Sequence, residues 1–197
     1  QLARVASDQF TAHCRIAQSL GAIKTIDRVI NTLKGLLPTE HRLSNDLERL
    51  NQPLEGFGHL LANWGKASLE RLKAYPDTAY VFQNGGSRYR LTLAECFSVE
   101  TDGFEPMTTT LGRIQKVRDW LKSLVSQGDQ ELMPETDAEL LSEQISMALG
   151  RLESIPELVV AFSNDAMDSG DARWLRIGQD VRYATPDDPT DLEFWVS

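Results

Sequence analysis

The 197-residue chain is 41% hydrophobic and 25% charged, an ordinary globular composition with enough length for one domain around a buried core. Its formal net charge of −9 excludes a surface that binds nucleic acid everywhere by counterion release, so any such contact must be local. Two cysteines, Cys14 and Cys96, supply neither metal-ligand spacing nor a disulfide framework and fit a reducing cytoplasm, while no apolar run is long enough for a signal peptide or a membrane span.

From Ile16 the apolar residues fall at Leu20, Ile23, Ile26, Ile30, Leu33 and Leu37, steps of three or four that line one face of a helix closed by Pro38. A second run reads Leu47, Leu50, Leu54, Phe57, Leu61 and Trp64 and continues less regularly through Leu69 and Leu72 to Tyr75-Pro76. Pro53 lies inside it, where the missing N–H and the ring clash predict a bend or a fresh helix start. The third helix is announced by "PMTTTLGRIQKVRDWLKSLV", with Thr108, Thr109 and Thr110 as candidate N-caps, a stripe of Met107, Leu111, Ile114, Val117, Leu121 and Leu124, and a stop at Gly128. In the fourth, Thr136 and Glu139 stand in capping-box spacing before Leu141, Ile145, Ala148, Leu152, Ile155, Val159 and Phe162.

Between the second and third helices, residues 79–97 hold two β-prone runs around Asn84-Gly85-Gly86, where easy access to positive φ permits a tight hairpin. Its second strand alternates Tyr89 and Leu91 against Arg88 and Arg90. Over residues 172–197, "ARWLRI" and "LEFWVS" are strand-like around a loop rich in proline and aspartate, and Leu192, Phe194 and Val196 alternate as an inward face. The expected architecture is therefore mainly α: about four long amphipathic helices in a single domain over 1–197, with a small β-hairpin and a terminal strand pair.

Chemistry is sparse. His13, His41 and His59 have no neighbours at catalytic or metal spacing, "FQNGGS" lacks the Lys-Ser/Thr of a phosphate loop, and no nucleophile elbow is present. The acidic stretch "DQELMPETDAELLSE" reads as a solvated helix start favoured by the helix dipole. Phosphate contacts need surface Lys or Arg, and the candidates are Arg88 and Arg90 on the hairpin and Arg113, Lys116 and Arg118 on the third helix. Lys66, Arg71, Lys73 and Lys122 fit the ordinary preference of helix ends for cations. Trp64, Trp120, Trp174 and Trp195 fall mostly at core-facing spacing and are not expected to stack on bases. No catalytic, cofactor or metal residue is assigned.

A family resemblance adds to this reading. Both ends look cut, because Gln1 runs straight into an apolar pattern and "LEFWVS" stops in mid-strand. "QLARVASDQF" resembles the stretch that follows the DEAH box in the DinG family of ATP-dependent DNA helicases, relatives of XPD, where the chain leaves the ATPase sheet for a helix. "ARWLRI", a loop and "LEFWVS" resemble the aromatic strand pair that returns to the first motor domain ahead of a Ser-Ala-Thr-Leu motif. Between those points such helicases carry a helical insertion, the arch, and "NDLERLNQPLEGFGHLL", "LGRIQKVRDWLKSLV" and "LSEQISMALGRLESIPELVVAF" follow in the same order. The hairpin around Asn84 departs from the family's helical middle.

The resemblance implies a cytoplasmic parent that moves 5′ to 3′ on single-stranded DNA, in DNA repair or related work. ATP, Mg and an iron–sulfur cluster are implied for the parent only, because its Walker lysine, DEAH acid and cluster cysteines fall outside Gln1–Ser197. The implied partners are the motor and iron–sulfur domains and, at most locally, single-stranded DNA, with no membrane. The alternative reading is a free-standing helical scaffold that binds proteins through an apolar groove.

Overall fold

The computed structural model describes residues 12–75, 79–82, 87–91, 99, 107–127, 133–162, 173–177 and 192–196, with residues 79–82, 87–91, 173–177 and 195–196 described through their backbone only. In chain order these form β1 (Ala12–Arg15), α1 (Ile16–Leu36), α2 (Ser44–Glu48), α3 (Asn51–Ala74), β2 (Ala79–Phe82), β3 (Ser87–Leu91), α4 (Met107–Gln127), α5 (Glu135–Gly150), α6 (Ile155–Ala161), β4 (Arg173–Ile177) and β5 (Leu192–Val196). The fold is mainly α, with four long helices, and its strands join in one sheet.

Prolines punctuate the helices. Pro53 falls in the first turn of α3, where its absent N–H removes no helical hydrogen bond, so the second apolar run divides into α2 and a fresh α3. The fourth run divides as well, contrary to the continuous helix its stripe suggests. Pro156 cannot donate back to Leu152 and constrains Ile155, so α5 ends at Gly150 and α6 begins at Ile155. Two expected N-caps are also displaced. Helix α4 starts at Met107, which puts Thr108, Thr109 and Thr110 inside its first turn, and Thr110 is buried in line with Leu111 and Ile114. Helix α5 starts at Glu135 behind Pro134, whose carbonyl accepts from the N–H groups of Asp137 and Ala138 at 3.0 and 3.1 Å. Thr136 is thus helical, because the extended backbone of Pro134 at φ −57° and ψ 140° already makes the turn-in.

The chain divides into two compact units, with boundaries after Ala17, Leu61, Glu100 and Glu153. One unit, over 18–61 and 101–153, is helical. Its core takes Ile23, Ile26, Ile30 and Leu33 from α1, Leu47 from α2, Leu54 and Phe57 from α3, Ile114, Val117 and Leu121 from α4, and Ile145 and Leu149 from α5. Each fully buried aliphatic side chain contributes roughly 1.5–3 kcal/mol relative to exposure, so these stripes are the main favourable term against the entropy of ordering the helices. Ser19 Oγ donates to the Arg151 carbonyl at 3.4 Å and ties the start of α1 to the end of α5.

The other unit, over 1–17, 62–100 and 154–197, contains the sheet. Its strand order is β1-β5-β4-β3-β2, antiparallel throughout, so the hairpin strands and the terminal pair are parts of one sheet rather than separate features. The second half of α3 and helix α6 supply its core. Phe194 stacks on Trp64 with ring centroids 3.7 Å apart and meets Phe162 edge-on at 5.6 Å. Strand β1, absent from the sequence reading, buries Ala12 and Cys14 on this side. Ser154 Oγ donates to the His13 carbonyl and so occupies a backbone acceptor of the edge strand. The Asn84 turn and Gly128 lie outside the described residues.

Candidate nucleic-acid interface

The five arginine and lysine candidates belong to different units. Arg113, Lys116 and Arg118 ride on α4, whose inward stripe of Leu111, Ile114, Val117, Leu121 and Leu124 fixes where every other residue of the helix must point. At 3.6 residues per turn, Arg113 and Lys116 flank one side of that stripe, while Arg118 lies about 140° around the helix from Arg113. Lys116 is exposed and the two arginines are half-buried. The Nε and Nη2 atoms of Arg118 both donate to Asp119 Oδ1, at 2.9 and 2.8 Å, so its charge is matched by the next residue. Helix α4 therefore does not present three cations as one row.

Arg88 and Arg90 lie two apart on β3 and share a face of the sheet. Arg88 is register partner to Phe82 on one side and Arg176 on the other, and Arg90 to Tyr80 and Trp174. Arg176 was missed by sequence reasoning, although it alternates with Leu175 and Ile177 just as Arg88 and Arg90 alternate with Tyr89.

Trp64 and Trp120 are 3% and 6% exposed, as their spacing predicts. Trp174 and Trp195 are register partners in the sheet, and their side chains lie outside the described residues.

No protein-family model, curated protein or solved structure matches this chain. Its chemistry is read from its own residues.

Among the described residues, no group of three His, Cys, Asp or Glu side chains could hold a metal ion. His41 has structural contacts: its Nδ1 accepts the Leu43 N–H at 3.3 Å and its ring meets Trp120 edge-on at 5.2 Å. His13 and His59 are exposed. Glu135, Asp137 and Glu139 are exposed over the first turn or so of α5, where the N-terminal end of the helix dipole favours negative charge. Arg71 at the end of α3 lies over the Tyr75 ring at 4.8 Å, a cation–π contact. Leu140 and Met147, 53% and 63% exposed on α5, are two side chains seven residues apart, too few for an apolar groove by themselves. Among the described residues no helix is long and apolar enough to cross a membrane.

Proposed function

We propose that this chain is the arch domain of a DinG-like, cytoplasmic, ATP-dependent DNA helicase, an accessory unit that shapes the passage of one strand and carries out no catalysis of its own. The observation that carries the reading is the pairing of β1 with β5, in which Ala12 is the partner of Val196. An insertion must leave and rejoin its host at nearly one place, and antiparallel neighbouring strands, about 4.8 Å apart, provide that geometry. The order of elements supports it too: a strand, long helices, and a returning aromatic strand pair. A bundle suits the task because its stiffness comes from buried apolar stripes rather than from a bound ligand. ATP, Mg and the iron–sulfur cluster belong to the parent in this reading.

The test is the coding sequence upstream of Gln1 and the behaviour of the full-length protein. The sequence should encode Asp-Glu-Ala-His just before these residues. Replacing 13–195 by a short Gly-Ser loop in the full-length protein should keep ATPase activity stimulated by single-stranded DNA and abolish unwinding. A coding frame that opens and closes around this segment, with no acidic box, removes the helicase reading and leaves the protein-binding scaffold.

A further inference from the structure

Helix α5 carries apolar side chains on two opposite sides. Ala138, Ile145, Ala148 and Leu149 are buried in the helical unit, whereas Leu140 and Met147, 53% and 63% exposed, stand roughly opposite them on the outer face. The two are one heptad apart, about 10.5 Å along the axis and about 20° around it. Helices α1 and α4 differ. The first exposes Gly21, Lys24, Arg28 and Thr32, and the second exposes Gln115, Lys116, Asp119 and Lys122, the polar outer faces that an amphipathic helix turns to water.

The surroundings of this pair are acidic. Glu135, Asp137, Glu139 and Glu143 are exposed and make no ion pair among the described residues, and Arg151 is the one cation between positions 135 and 151. That charge decides between occupants. Two copies of α5 laid on one another would bring four carboxylates and one arginine against the same set, and an anionic lipid surface is repelled likewise. Other stretches of the chain fit no better: residues 92–106 and 163–172 hold four and three acidic residues with no Lys or Arg, 178–191 hold four with one arginine and two prolines, and 1–11 hold one charge of each sign. The complement is a helix from elsewhere, with apolar residues at steps of three and four and Lys or Arg beside them. Two side chains make no groove, but a helix laid along them supplies the facing holes.

We propose that the outer face of α5 docks a basic amphipathic helix of a partner protein, with Leu140 and Met147 packed between its apolar residues and Glu139 and Glu143 facing its Lys or Arg side chains. The inference goes beyond the arch reading and does not rest on it, since exposure and charge on one helix carry it. Contact over little more than one heptad makes the complex a weak, reversible one.

The test is fluorescence anisotropy of the 197-residue chain with a labelled leucine–lysine peptide of about 18 residues, long enough for a helix, with leucine at steps of three and four. A shuffled peptide of the same composition, without that spacing, is the control. The patterned peptide should bind more tightly than the shuffled one, and the Met147 methyl resonance should shift during its titration. Leu140→Ser and Met147→Ser should each weaken binding about tenfold, and Glu139→Gln with Glu143→Gln about three- to tenfold. Leu36→Ser, at a side chain 50% exposed at the end of α1, should leave it unchanged. Circular dichroism checks that each variant keeps its fold. Equal binding of the two peptides, or Leu140 and Met147 variants that fold and bind like the parent chain, overturns the proposal. So does a dimer in sedimentation that Met147→Ser dissolves, because a second copy then covers the face. Those outcomes leave the arch reading intact, and a missing upstream acidic box leaves the docking face intact.

Discussion

Phe194→Ala tests the core that holds the sheet in place. The ring is fully buried, stacked on Trp64 at 3.7 Å with an 18° interplanar angle, and edge-on to Phe162 at 5.6 Å and 81°. A buried aromatic ring removes roughly 150–250 Å² from water, which at about 25 cal/mol per Å² is about 4–6 kcal/mol. Measured Phe→Ala losses of about 3–5 kcal/mol agree, and the two ring pairs push toward the upper end. Strand β5 bears β1 on one edge and β4 on the other, so the loss falls where the sheet is most connected. Urea titration followed by far-UV circular dichroism should show a destabilisation of about 4 kcal/mol, against about 1.5 kcal/mol or less for the volume-retaining Phe194→Leu. Amide exchange should quicken across β1 and β4 in the alanine variant. A loss under about 1.5 kcal/mol for Phe194→Ala, or equal losses for alanine and leucine, would refute the idea that this ring cluster anchors the sheet.

Three further outcomes are expected. The isolated chain should release no phosphate from ATP above background, with or without single-stranded DNA, in a coupled phosphate assay. Asp119→Ala should cost no more than about 1 kcal/mol in thermal or urea unfolding, because its pair with Arg118 is 63% exposed on the carboxylate side and screened by solvent. Pro53→Ala should change stability by less than about 1 kcal/mol, since the ring stands in the first turn of α3, and a larger loss would mean that it does more than begin the helix.

The helices were legible because a repeat of three and four reports burial locally. Leu47, Leu50, Leu54, Phe57, Leu61 and Trp64 are all buried, as are Ile114, Val117, Leu121 and Leu124. The ends were less legible. Thr136 looked like a cap from its side chain, but the helix start was decided by the backbone of Pro134. The strands of the hairpin and of the terminal pair were visible by alternation, yet their union was not. Tyr89 pairs with Leu175 and Ala12 with Val196, partners so distant in sequence that no local pattern links them. Strand β1 is four residues long with only Ala12 and Cys14 turned inward, too short a signal to separate from the helix that follows.

The same distance effect explains why the candidate site was half seen. Arg88 and Arg90 stand close in sequence, so their shared face could be read directly, whereas Arg176 joins them only through the pairing of β3 with β4. Trp174 and Trp195 lie far apart in the sequence pattern, and only the pairing of β4 with β5 shows that they are register partners. Net charge is likewise a sum that says nothing of placement: Glu135 and Asp137 stand in the first turn of α5, where the dipole favours them, while Arg88 and Arg176 are brought to one register position only by the pairing of β3 with β4.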